Sequence, residues 1–440
     1  MRALTPHELL INTAHIALDL PAFTLRPFAP RRLVRHYQLR KLRELVAFAA
    51  KFVPLYREKY RAAGVCPDDL RSLEDLQHFP TVTKAEILAA YPEGALAPGL
   101  DPRGLIVSKS SGSTGVVLDV VHQADRLAIQ GLAMHRLLGL YTHYLPWHRF
   151  AYIYTSEYPA RSLFGTYPMT FIPTLAPMSD IVATLRRLRP HLLACYPSHL
   201  RALAREMGPQ ACREAGLLAI SVSSEPSTQR ERDELARVFG CGVYDEYSTE
   251  ELTRVAAQCT ERTYHLFEDV AYVEIVEPDS EKPAAVGSRG EIVGTYLHNF
   301  AMPFIRYRQG DVARVSESDC ACGRTFRALV DLQGRKLDQF VLPSGRVLTS
   351  GWLLDATYSF LFDVRADIAA FTLVQETTSR VRIEIIPGKR FVQADASAIE
   401  ARFRALVGEP IDVVVELIPE LKRSAAGKHN PIVSLVQRSG

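Results

Sequence analysis

Between Arg149 and Glu246 the chain alternates short apolar runs with amphipathic ones, and few folds accept that order. Arg149–Thr155, Phe171–Thr174, Leu192–Tyr196, Leu217–Ser223 and Gly242–Glu246 have the length and composition of strands. Ile181–Leu188, Pro197–Glu206 and Gln229–Phe239, which fall between them, have helical spacing. Strand–helix–strand repetition predicts a parallel-type sheet flanked by helices. In open sheets of that kind ligands bind beyond the strand ends. Two such ends are polar here. Ser223-Ser224-Glu225-Pro226 closes one strand, and Tyr247-Ser248-Thr249-Glu250-Glu251 is expected on the loop after the next. The second offers hydroxyls and carboxylates, the hard oxygen ligands that hold Mg²⁺ against phosphates.

Upstream, Ser108–Gly115 reads SKSSGSTG between the apolar runs Leu105–Val107 and Val116–Val121. Its glycines allow close backbone approach, and its N–H and O–H groups can all donate to a polyphosphate. A Ser/Gly linker has the same composition, so this stretch alone leaves both readings open. It is not the strand–loop–helix nucleotide motif, because no Lys-Ser/Thr follows the last glycine. Residues from about 31 to 64 and residues 125–139 have helical periodicity, and Thr83 with Glu86 forms a capping box for a helix between them.

Beyond residue 269 the pattern becomes antiparallel β, with Val270–Val276, Gly290–Tyr296 and Phe304–Arg308. The last runs into Gln309-Gly310-Asp311, where a carboxylate after glycine suits a ribose diol. A polar turn, Gly334–Asp338, opens a region of strands and one helix, Ala394–Val407, ending near the small-residue loop Lys422–Lys428. The expected fold class is α/β. A large N-terminal domain (1–336) carries α/β sheets and a β-rich part, and a small α+β C-terminal domain (337–440) follows.

Composition excludes more than it assigns. A net charge of +3 gives no reason to invoke nucleic acid or a membrane surface. Seven scattered cysteines do not make a disulfide framework, and no stretch has a membrane-spanning apolar length. A cytoplasmic enzyme is expected.

The order of these motifs resembles the adenylate-forming superfamily of acyl-coenzyme A ligases, and within it the phenylacetate–coenzyme A ligase and capsule-biosynthesis branch. The series is a Ser/Thr/Gly loop, Ser-Glu-Pro, Tyr-x-x-Glu, Tyr-Arg-x-Gly-Asp, Gly-Arg and a late Gly-Lys, running from Ser108 to Lys428. The resemblance implies that ATP and a carboxylate give an acyl-adenylate and pyrophosphate, after which a thiol, most often coenzyme A, takes the acyl group. It implies that the C-terminal domain is a mobile lid. Ser110, Ser111, Gly112, Ser113, Thr114 and Gly115 would hold the ATP phosphates, with Thr114 counted among the catalytic positions. Ser224, Glu225 and Pro226 would line the adenine, with Tyr247 stacked near it. Asp311 would hold the ribose, assisted by Arg335, and Glu251 or Glu250 would bind Mg²⁺. Lys428 would bridge the carboxylate and the α-phosphate. The chain departs from the usual pattern at Val116-Val117, at Ser248 and at Leu337-Asp338.

Cys259, His265, Cys320 and Cys322 offer three thiols and an imidazole, a set suited to tetrahedral Zn²⁺. The spacing matches no common finger, and four unrelated side chains are the alternative. Similar positions in members of the resembled branch favour a structural zinc site. Arg149–Pro177 is rich in Tyr and Phe, compatible with an aromatic acid and equally with core packing. Two other outcomes stay open. The acyl group could pass to a carrier protein, an amine or another nucleophile, or the chain could be a nucleotide-binding scaffold without catalysis.

Overall fold

The computed structural model describes residues 2–110, 117–159, 165–277, 280–285, 287–316, 319–335, 339–349, 352–354, 356–357, 367–423 and 428–436, with the backbone alone at 102 and 333–335. Internal contacts divide the chain into two units, one of residues 1–151, 156–171 and 244–331, the other of 152–155, 172–243 and 332–440. The chain last enters the second unit at Leu332, and the expected boundary at 336/337 lies outside the described residues.

The first unit begins with a helix that periodicity did not predict, Pro6–Leu25, started by a Thr5–Glu8 capping box. The expected helix over 31–64 is two helices, Arg31–Phe52 and Pro54–Ala63. Pro54 is the cause, because the residue before a proline is driven out of the helical region, and Val53 is extended (φ −107, ψ 112). Two buried acidic residues tie these helices to the β-rich part. Asp269 accepts from Arg26 and Arg136, and Glu268 from Arg31 and Arg327. The strands there run in the order Ala271–Val276, Gly290–Tyr296, Tyr307–Val315, Ala328–Arg335, Tyr264–Leu266, Thr253–Gln258 and Gly242–Thr249. Gly290–Tyr296 is buried along its whole length, as its position inside the sheet requires.

The second unit holds the parallel part. Leu192–Cys195 pairs in parallel with Ala219–Ser223, and Leu192 faces Ala219 in register. Helix Gln229–Phe239 lies where the sequence places it, capped by the Thr228 side chain. Helix Pro197–Glu214 is longer than expected, but its backbone breaks at Gly208 (φ 74, ψ 160), just before Pro209 and close to the predicted end. Toward the C-terminus, Asp412–Leu417, Arg380–Pro387, Ile368–Thr377 and Ile432–Ser434 form a sheet in that order. Helix Gln393–Val407 packs Ile399 and Phe403 into a core shared with Leu373, Ile383 and Ile432. Among the described residues no helix is long and apolar enough to cross a membrane.

Candidate active site and metal centre

In the first unit Ser110 closes the base of the Ser/Gly loop. Its N–H donates to the Leu118 carbonyl (2.9 Å) and its Oγ accepts from the Leu118 N–H (3.0 Å). This reciprocal pair makes the two strands one antiparallel ribbon, Leu105–Lys109 against Asp119–Gln123. Ser111, Gly112, Ser113, Thr114 and Gly115 lie outside the described residues. A residue that sequence reading treated only as part of a helix start joins Ser110: Lys84 Nζ lies 3.3 Å from Ser110 Oγ. The capping box Thr83–Glu86 fixes the helix that carries Lys84. A basic residue just inside a helix start was the signal available.

Tyr247, Ser248 and Thr249 are not on a loop, which corrects the expectation. The strand runs Gly242–Thr249 and forms a hairpin with Thr253–Gln258, with a bulge between Tyr247 and Ser248. Polar composition suggested a loop, but cross-strand pairing of Ser248 with Arg254 keeps the chain extended. The strand aims Tyr247 at Tyr307–Val315, where its hydroxyl donates to Asp311 Oδ2 at 2.7 Å. Gly310 before it has φ 82, the left-handed region that glycine occupies at little cost. Gln309 Nε2 beside them is buried with no hydrogen-bond partner. An orphaned donor next to a carboxylate and a phenol fits a polar ligand.

Glu250 is exposed, whereas Glu251 is buried and accepts from the Tyr307 hydroxyl at 3.1 Å. Below them Glu246 is buried against Arg254 (3.0 Å); burial raises its pKa and the Arg254 guanidinium opposes that rise. Arg335 has a described backbone only, in strand Ala328–Arg335.

In the second unit Ser224 is a non-glycine residue at φ 69, and this sharp turn follows directly on strand Ala219–Ser223. Ser224 and Pro226 are exposed, while Glu225 turns inward. Glu225 accepts from the Ser198 N–H and Oγ–H (both 2.9 Å) and from the His429 N–H (2.7 Å). Lys428, one residue earlier, holds its ammonium 5.6 Å from the Tyr196 ring centroid. The His429 ring is buried with Nε2 against Thr372 Oγ1 (3.1 Å), and burial pushes its pKa down to about 3. Sequence reading reached Glu225 and Lys428 but missed Ser198 and His429. Ser198 sits just past an apolar strand, where ligands gather, and His429 adjoins the lysine. Aromatic rings line the same unit, with Tyr154 5.6 Å from Tyr196 and its hydroxyl 3.1 Å from Ser223 Oγ.

The four proposed zinc ligands converge. The ligand atoms of Cys259, His265, Cys320 and Cys322 lie within 4.8 Å of one another. Cys259 Sγ is 3.7 Å from Cys320 Sγ, and Cys322 Sγ is 3.1 Å from His265 Nε2. The thiol pair matches the edge of about 3.7 Å that a tetrahedron with Zn–S bonds of about 2.3 Å requires, and the thiol–imidazole pair is shorter than the corresponding edge of about 3.5 Å. His265 Nδ1 lies 3.1 Å from the Phe326 carbonyl, so the N–H belongs on Nδ1 and Nε2 is left as a lone-pair donor among the thiols. The Gly323 N–H donates to the Cys320 carbonyl (3.1 Å), closing a turn with Cys322 at its centre, and Gly323 at φ 76 leads the chain out of it.

Comparison with known proteins bears on this geometry. The chain is 31% identical over 338 residues to the phenylacetate–coenzyme A ligase of Escherichia coli, covering 71% of this chain and 74% of that one. The chain belongs to the phenylacetate–coenzyme A ligase family. Another member, from Thermus thermophilus, is 29% identical over 330 residues, 71% of this chain and 73% of that one. No family model matches the chain. Among solved structures, 2-hydroxyisobutyryl-CoA ligase in the postadenylation state with 2-HIB-AMP superimposes with a TM-score of 0.76. That match is 22% identical and covers 93% of this chain and 91% of that one. The chain therefore shares the fold of that CoA ligase, and as a member of the phenylacetate–coenzyme A ligase family it is a ligase.

Proposed function

We propose that this chain activates an aromatic carboxylic acid with ATP and passes the acyl group to coenzyme A. The observation that carries the reading is the Tyr247–Asp311 pair at 2.7 Å with its orphaned Gln309 donor, in a chain of this ligase family. In the first step a carboxylate oxygen bonds to the α-phosphorus of ATP while the bond to the pyrophosphate oxygen breaks. In the second, the thiolate of coenzyme A bonds to the acyl carbon and AMP leaves with the electron pair of the acyl–oxygen bond.

Both reacting partners of the first step are anions, so cationic charge must screen the approach. Lys428 supplies it at the attacking carboxylate and α-phosphate, and Lys84 with Ser110 at the loop meant for the outer phosphates. The rest of that loop, Ser111–Gly115 with Thr114, takes the phosphates through N–H and hydroxyl donors. Glu251 is the better Mg²⁺ ligand of the two glutamates, because the Tyr307 hydroxyl fixes its carboxylate while Glu250 lies exposed. Mg²⁺ there would neutralise phosphate charge. Asp311, oriented by Tyr247, receives the ribose hydroxyls with Arg335 assisting, and the exposed Ser224 and Pro226 of the turn line the adenine.

Residues 337–440 act as the lid that carries Lys428 and keeps water from the adenylate, with 1–336 as the adenylation domain. The Tyr154–Tyr196 rings and the phenylacetate named in its relatives support an aromatic acid. Cys259, His265, Cys320 and Cys322 hold a structural zinc, since four protein ligands leave no position for substrate. On this reading the reaction draws on ATP and coenzyme A and runs in the cytoplasm. The test is acid-dependent exchange of labelled pyrophosphate into ATP across a panel of aryl and alkyl acids. Exchange with aryl acids is expected; none with any acid would overturn the proposal.

A further inference from the structure

The segment bearing Lys428 is anchored through its backbone, by the pairing of Ile432–Ser434 with Leu373–Gln375 and, next to the lysine, by one carboxylate. Glu225 Oε2 accepts from the Ser198 N–H, and Oε1 accepts from both the Ser198 hydroxyl and the His429 N–H. At 6% exposure this carboxylate is nearly dry. Ser198 is the second residue of helix Pro197–Glu214, so Glu225 also meets the electropositive end of that helix. On the other side of Lys428, Arg423 Nη1 donates to Ser198 Oγ at 3.3 Å. Residues 423 and 429 are thus both tied to the Ser198–Glu225 pair, and Lys428 projects between these ties toward Tyr196. The turn at Ser224 (φ 69) directs Glu225 inward rather than along the strand.

We infer that Glu225 is a positioning residue, a latch that grips the His429 N–H and so presents Lys428 for acyl-adenylate formation. This rests on the reading above in which Lys428 serves adenylation. It differs from the role that the motif series implies for Glu225, because a residue lining adenine acts on ATP affinity, whereas a latch acts on the orientation of a lysine. A charge-assisted bond made only when the lysine is presented favours that state alone, so its loss falls on the rate of the adenylation step. Thioester formation from acyl-adenylate does not call on Lys428 and does not need the latch.

The experiment compares wild type with Glu225→Ala and Glu225→Gln by three readouts. Hydrogen exchange across 428–436 reads the latch directly. Alanine should release the His429 amide by about tenfold to a hundredfold, the range a bond to a charged group supports, with glutamine between. The kcat for acyl-adenylate formation should fall by a similar factor, roughly ten- to a hundredfold, with the KM for ATP within about threefold. Thioester formation from supplied acyl-adenylate should stay within about twofold of wild type. An unchanged His429 amide overturns the latch. So does a raised KM for ATP at constant kcat, which marks an adenine wall, or equal loss in both half-reactions with a lowered Tm, which marks a helix cap only. If wild type itself forms no acyl-adenylate, the proposed function fails, and the His429 amide still decides the contact.

Discussion

Removing the Asp311 carboxylate should weaken ATP use through KM rather than kcat, and the structure sets the size of the effect. Asp311 is half-buried and already accepts from Tyr247 at 2.7 Å, so one oxygen is held and oriented before any ribose arrives. A hydrogen bond to a charged group nets about 1.5–3 kcal/mol, with partial exposure pulling toward the lower end. Two ribose hydroxyls then make Asp311→Ala cost about 2–4 kcal/mol, or roughly 30- to 1000-fold in the KM for ATP. Tyr247→Phe leaves the carboxylate and removes only its orientation, so about 1 kcal/mol and roughly fivefold is expected. The contacts exist in the ground state as well as the transition state, so kcat should hold within a few-fold. The assay is acid-dependent pyrophosphate exchange at varied ATP, with thermal melts to show that both variants fold. An unchanged KM in Asp311→Ala, or a larger effect from Tyr247→Phe than from Asp311→Ala, would refute the reasoning.

Other consequences are as specific. Cys322→Ser should lower bound zinc to well below one per chain and lower Tm, with adenylation in the folded fraction falling less; zinc-free wild type purified without chelator would end the metal assignment. Lys428→Ala should slow acyl-adenylate formation by about 30- to 1000-fold, corresponding to about 2–4 kcal/mol in the barrier, and leave thioester formation from supplied adenylate intact. Equal loss in both steps would remove the lysine from the first. Burial lowers the pKa of His122 and His298 to about 4, so both fold in the neutral form. The unfolded chain then binds more protons at acid pH, and their contribution is fully present above about 6.5 and lost as pH falls through about 4. Tm should decline across that window, and His122→Gln should flatten the decline; a slope unchanged in the variant would contradict the assignment.

Where local physics decides a segment, the sequence was enough. Gln229–Phe239 and Gly290–Tyr296 stand where they were read, the first because Thr228 caps it and the second because turn residues bound a β-rich run. The break at Pro54 was equally local but went unread within a long periodic stretch. Tyr247–Thr249 was misread for a different reason. Its polar side chains speak for a loop, and only the partner strand Thr253–Gln258 holds it extended. The parts of the site followed the same division. Motif order pointed to Asp311, Glu225 and Lys428 one at a time. The bonds that give Glu225 a task join it to residues 27 and 204 positions away, and no local pattern encodes them. The four proposed zinc ligands lie between these cases, since thiol and imidazole chemistry named them while two β-turns help bring them together.

The most direct test of the central claim is product analysis with phenylacetate, ATP, Mg²⁺ and coenzyme A, set beside a straight-chain alkyl acid of similar size. The account predicts phenylacetyl-coenzyme A or a closely related aryl thioester, formed with one AMP and one pyrophosphate per thioester and lost in Lys428→Ala. ATP turned over to ADP, or no thioester from any aryl acid in folded protein that binds ATP, would contradict it.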